Sequence, residues 1–142
     1  CFQKKRSIFF FLLLFGCRIW QILTSMGGSS SKSSSDASST IEKLISEHKV
    51  IVFSASWCPY CKKAKGVLDD LGAKYKAIET DQDSNGAAYK DQLKKKTGKT
   101  SVPQIFISGE FIGGCNDGPG IVPLHASGKL VPMLKEAGSL SN

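Results

Sequence analysis

The chain lacks what a zinc site or a disulfide scaffold would require. It has five cysteines and two histidines in 142 residues. That is below the density of a disulfide-stapled domain, and Cys1 and Cys17 lie in an N-terminal segment that reads as separate from the folded part. A structural zinc needs four ligands. Cys1, Cys17, Cys115, His48 and His125 supply no second ligand pair beside Cys58 and Cys61, so no metal is expected. No basic stripe interleaved with aromatics is present, and no nucleic-acid partner is expected. The strongest apolar block, residues 8–15, is soon interrupted by Arg18 and is too short for a membrane span. Acidic residues are the scarcer charge, 12 Asp and Glu against 19 Lys and Arg. The plain reading of that excess is solvated lysines. Positive potential would also suit a small anionic thiol.

What the chain does have falls into three zones, with length enough for one domain. Residues 1–25 place Lys4-Lys5-Arg6 before the apolar block. This looks like a signal peptide, or like translation upstream of the true start, since the chain begins with Cys. Residues 26–39 are Gly/Ser-rich and read as a disordered linker. Within them Met26-Gly27-Gly28-Ser29-Ser30-Ser31 fits a myristoylation start at Gly27. The competing reading is a plain flexible linker. One acyl chain would give only weak membrane association.

Residues 40–142 read as the domain. Ser39-Thr40-Ile41-Glu42 suggests a capping box opening a helix that runs to about His48. Residues 50–54 are apolar and β-branched, which predicts a strand buried on both faces. From Pro59, apolar residues recur at helical spacing to Leu71, with Gly72 to end the helix. Further expectations are a strand at 74–79, a helix from Ser84 to about Thr97, a hairpin of strands at 104–107 and 110–112, and one or two terminal helical pieces. The order predicts an α/β fold with a small mixed sheet covered by helices on both faces.

Cys58-Pro59-Tyr60-Cys61 carries the chemistry. A strand that delivers Cys-x-x-Cys to a helix start places the first cysteine at the unpaired N–H groups and positive dipole end, which favour a thiolate. The second cysteine follows about one turn later, close enough to attack a mixed disulfide on the first. Pro59 fits the first turn, where its missing N–H costs nothing.

Three segments resemble the glutaredoxins, the glutathione-using branch of the thioredoxin fold. They are Cys58-Pro59-Tyr60-Cys61, Ser101-Val102-Pro103, and Gly113-Gly114-Cys115-Asn116-Asp117. The resemblance covers about residues 40–138. It implies a dithiol member with a four-stranded mixed sheet, a cis Pro103, and Cys58 as nucleophile with Cys61 resolving. It implies glutathione as co-substrate, held by Tyr60, Lys90, Ser101, Val102, Pro103, Gly114, Asn116 and Asp117. Backbone N–H groups of a helix after Asp117 would bind a carboxylate, and Asp117 would pair with the γ-glutamyl amino group. A simple helix cap is the other reading of Asp117.

The sequence departs from the family at Ala55 and Thr100, where a Lys and an Arg or Lys that help hold the glycyl carboxylate are common. Lys90 and Lys99 would compensate. Gly118-Pro119-Gly120 reads as an insertion, and Cys115 as a small buried filler.

The partners implied are glutathionylated or disulfide-bonded proteins, met by a cytoplasmic monomer. A secretory or organellar location follows instead if residues 1–25 act as a targeting segment. Two alternatives stay open: a thioredoxin-like dithiol reductase, suggested by Trp57, and an iron–sulfur cluster carrier.

Overall fold

A strand of five buried residues, β1 (Val50–Ser54), forms the middle of the molecule. The structure, a computed structural model, describes residues 34–140. The expectations for residues 1–25, and those for Gly27 and its neighbours up to residue 33, lie outside the described residues.

The remaining elements are α1 (Ser34–Glu47), α2 (Pro59–Asp70), β2 (Lys76–Glu79), α3 (Gly86–Thr97), β3 (Gln104–Ile107), β4 (Glu110–Gly113), α4 (Ile121–Ala126) and α5 (Leu130–Glu136). The sheet order is β2-β1-β3-β4. β1 runs parallel to β2 and antiparallel to β3, and β3 and β4 form an antiparallel hairpin. This is the four-stranded mixed sheet expected.

Because side chains alternate along a strand, β1 serves two cores. Val50 and Val52 join Ile105, Ile107, Ala64 and Leu68 on the face covered by α2, α4 and α5. Ile51 and Phe53 join Phe106, Ile41, Ile45, Tyr89 and Leu93 on the face covered by α1 and α3. Burial on both faces explains why β1 is apolar without interruption.

The structure corrects three boundaries. α1 begins at Ser34, inside the segment expected to be a linker, and Ser39 is not its cap. The hydroxyls of Ser39 and Thr40 both donate back to the Asp36 carbonyl, at 2.9 and 2.7 Å. Hydroxyls bonded to the preceding turn let Ser and Thr sit inside a helix, and packing of Ile41 and Ile45 holds it. β2 starts at Lys76 rather than Lys74, because the Lys74 N–H donates to the Ser139 carbonyl and Ala73 bridges Leu140. α3 starts at Gly86 rather than Ser84, because the Asp83 carboxylate takes the Asn85 N–H in a turn ahead of the helix. The far end of α3 is as expected: Gly98, left-handed at φ 71°, returns its N–H to the Lys94 carbonyl.

Candidate active site

Cys58 is the N-cap of α2, extended at φ −81° and ψ 118°, with Pro59 in the first turn. No side chain caps the helix, so the cysteine itself occupies the place where orphan N–H groups and the dipole favour an anion. The carbonyl of Cys58 accepts the Lys62 N–H, and its N–H donates to Ala55. These bonds fix its backbone at the junction of strand and helix. Cys58 is buried to 4% exposure and Cys61 is wholly buried. The two pack with Ala55 and, from another loop, Val102.

Val102 arrives on the loop before β3, and its peptide to Pro103 is cis, as the resemblance implied. The Cys58 thiol lies 3.7 Å from the Val102 carbonyl oxygen, to which it donates. Thr97 and Gln104 brace that loop. The Thr97 hydroxyl donates to Gln104 Oε1 at 2.8 Å, and Gln104 Nε2 donates to the carbonyls of Lys99 and Ser101 at 3.0 and 3.2 Å.

The third segment closes on the second by backbone contact. A Cβ at Gly114 would stand 2.9 Å from the Pro103 carbonyl oxygen, so only glycine lets the chains approach this closely. Its neighbour Gly113, at φ +103°, allows the chain to turn back, with the Gly114 N–H donating to the Asp117 carbonyl at 3.0 Å. Asn116 and Asp117 are exposed, whereas Cys115 is buried at 4% exposure. Burial raises the Cys115 thiol above its ordinary value, and Lys63 opposes that while Cys58 and Asp117 add to it. Cys115 fits the filler role.

One expectation fails here. The N–H groups of Gly120, Ile121 and Val122 at the start of α4 are taken by the carbonyls of Ile112, Gly114 and Cys115. Gly118-Pro119-Gly120 separates Asp117 from the helix, so the first amides of α4 close the turn instead of facing a ligand carboxylate.

The second thiol is strongly perturbed by its setting. Burial pushes the Cys61 thiol up to about 12, with the neighbouring Cys58 and Glu79 adding to it and a bond to the Ala55 backbone opposing. Cys61 therefore remains a thiol at neutral pH. Trp57 and Tyr60 are the large hydrophobic side chains left exposed among the described residues, at 70% and 58%. They stand on either side of Cys58 in the chain. Exposed aromatics beside a reactive group are the usual anchors for a partner.

Lys90 is exposed on α3 and acts on Asp81. The Asp81 carboxylate in turn accepts both the Ser56 N–H, at 2.9 Å, and the Ser56 hydroxyl. Those bonds hold Asp81 below the usual carboxylate range, with Lys90 a smaller aid. Lys90 thus acts on the carboxylate that braces the loop leading into Cys58. This carboxylate bracing of the loop was not anticipated, and neither was a second polar cluster beneath α2. There, Glu79 accepts from the Ser54 hydroxyl at 2.5 Å and from the Lys65 ammonium at 2.6 Å. The only sequence signal for either cluster is an acidic residue at or just past the end of a strand.

A sequence model of the glutaredoxin family matches residues 50–112. The chain is 44% identical over 99 residues to a glutaredoxin of Ricinus communis, spanning 70% of this chain and 94% of that protein. It is 43% identical over 100 residues to glutaredoxin-C2 of Arabidopsis thaliana, spanning 70% and 87%. Among solved structures, the buckwheat glutaredoxin–glutathione complex superimposes with a TM-score of 0.73 at 38% identity, covering 80% of this chain and all of that one.

Proposed function

The chain belongs to the glutaredoxin family and is an oxidoreductase, and from that premise we propose that it is a dithiol glutaredoxin reducing protein–glutathione mixed disulfides and protein disulfides with electrons from glutathione. One observation carries the reading: Cys58 caps α2 against the Val102 carbonyl while Cys61 lies buried one turn behind it.

Cys58, as thiolate, attacks the glutathionyl sulfur of a mixed disulfide. The bond to the protein sulfur breaks, and the departing thiolate takes up a proton. Cys58 now carries glutathione. A second glutathione thiolate attacks that sulfur, releases oxidised glutathione and restores Cys58. With a protein disulfide, Cys58 bonds to one substrate sulfur and Cys61 then displaces it, leaving a Cys58–Cys61 disulfide that two glutathiones reduce.

Val102 offers its backbone N–H and C=O to the extended substrate, in the manner of an added strand. Tyr60 lines the glutathione groove, Ser101 and Pro103 form its wall, and Gly114, Asn116 and Asp117 form its floor. Asp117 receives the γ-glutamyl amino group through its own carboxylate. That role stands without the α4 amides, which are already bonded. Trp57 meets the protein part of the substrate. The thioredoxin-like alternative has no comparable support, since the matched relatives are glutaredoxins and the buckwheat structure holds glutathione.

Thr100 is exposed in the loop just before Ser101. Thr100→Arg is expected to lower the KM for glutathione several-fold, about what one exposed ion pair to the glycyl carboxylate contributes, with kcat little changed. Steady-state turnover at varied glutathione checks this, and an unchanged KM would mean the glycyl carboxylate binds elsewhere.

A further inference from the structure

The cluster of Ser54, Lys65 and Glu79 takes no part in the chemistry above, yet it lies directly beneath α2. Lys65 is four residues after Cys61 in the same helix, so the two side chains share one face. Glu79 ends β2 and pairs in register with Ser54 at the end of β1. Ser54 is wholly buried, and the Lys65 and Glu79 side chains are each 23% exposed. Both carboxylate oxygens are occupied, Oε2 by the Ser54 hydroxyl and Oε1 by the Lys65 ammonium. The Glu79 charge is therefore fixed on the Lys65 ammonium, which stands one turn along α2 from the buried Cys61.

Stability alone is a weak reason for such a pair, because apolar residues of similar volume in partly buried sites do as well or better. Resting on the dithiol reading, we propose that the Lys65–Glu79 pair positions a charge under Cys61 that sets the pH at which Cys61 attacks the mixed disulfide on Cys58. In that step Cys61 gives its proton to solvent and its sulfur bonds to the Cys58 sulfur. The bond from Cys58 to the bound thiol breaks, and the departing thiolate takes up a proton. The cysteine pair is oxidised by the two electrons that reduce the mixed disulfide.

The groups facing Cys61 can be counted by element. α2 supplies Cys58 and β2 supplies Glu79, and Glu79 in turn interacts with Lys65 of α2, with Asp81 in the segment after β2 and with Tyr75 ahead of β2. β1 and its continuation supply Ser54 and Ala55, and the loop before β3 supplies Val102, none of which titrates. Burial works against the Glu79 charge, but the Lys65 and Ser54 bonds outweigh it and hold the carboxyl below its usual range. The anion is therefore present throughout the pH range in which Cys61 works. A negative charge disfavours the thiolate, and the Lys65 ammonium moderates that charge.

The test uses the full chain with Cys58 loaded with glutathione. Rapid quenching and mass spectrometry follow glutathione release by Cys61 from about pH 6 to about pH 10, below the raised titration of its thiol, where a lower or higher midpoint reads as a faster or slower rate at each pH. Glu79→Gln is expected to lower the midpoint of the rate profile by about half a unit or more, and Lys65→Met to raise it by a similar amount. Opposite signs separate charge from packing, because a mere strut would shift both variants alike. The Glu79→Gln/Lys65→Met double variant leaves no unpaired charge; it serves if a single variant loses its fold, and its midpoint is also expected below wild type. Midpoints that coincide or move together would overturn the proposal. Single-thiol turnover by Cys61→Ser should be the same within about two-fold with and without Glu79→Gln. If Cys61→Ser itself is inactive, the dithiol glutaredoxin reading fails instead.

Discussion

Cys58→Ser is expected to abolish turnover, lowering kcat/KM by about three orders of magnitude or more, while the protein stays folded. The serine hydroxyl fits the same N-cap and is itself a good cap, so the melting temperature should hold or rise. The loss is chemical, because a hydroxyl cannot replace a thiolate in thiol–disulfide exchange. Cys61 cannot substitute, being wholly buried with its thiol raised to about 12. The check is steady-state reduction of a glutathionylated protein together with a thermal melt. A Cys58→Ser variant that keeps measurable turnover would place the nucleophile elsewhere.

The second large effect is expected at Gly113. Its φ of +103° is one that L side chains rarely adopt, and a Cβ there would stand 2.1 Å from the Asp117 carbonyl oxygen. That oxygen accepts the Gly114 N–H, so the clash falls on the turn that presents Asn116 and Asp117. Gly113→Ala is expected to cost about 2–4 kcal/mol, which for a domain of this size is a fall in melting temperature on the order of 10–20 °C. Where the fold survives, the KM for glutathione should rise about ten-fold, because Asp117 is displaced while Cys58 is not. Gly98→Ala is the control. Its φ is also positive, but a Cβ there meets nothing within 4 Å, so it should cost only about 1 kcal/mol. Equal losses at the two positions would mean the turn relaxes around the methyl group.

The elements that position the site were legible where a single local pattern governs. β1 is apolar at every residue up to Ser54 because both its faces are covered. The Cys58-Pro59 step marks the junction of strand and helix, and Gly98 marks the end of α3. The three motif segments predicted the meeting of Cys58, Val102–Pro103 and Gly114, which are far apart in sequence and joined only by the sheet order β2-β1-β3-β4.

What was not legible depends on tertiary partners. Ser39 looks like a cap, but the helix already runs through it, and its hydroxyl turns back to Asp36. The start of β2 is set by the pairing of Ala73 and Lys74 with the C-terminal segment. The α4 amides looked like an anion site, but the insertion before the helix lets the turn's own carbonyls take them. The bracing of Ser56 by Asp81, and of Ser54 and Lys65 by Glu79, joins residues 14 to 25 positions apart. No periodicity records such pairs.

The central claim is that glutathione electrons reach a mixed disulfide through Cys58 alone, with Cys61 needed only for protein disulfides. Its most direct test is glutathione-dependent reduction of a glutathionylated protein by wild type beside Cys61→Ser. Turnover by both, with glutathione trapped on Cys58 of the variant, is the predicted result. Failure of both would contradict the account, and activity restored to wild type by a flavoprotein-fed dithiol system without glutathione would place the protein's electrons in the thioredoxin-like route instead.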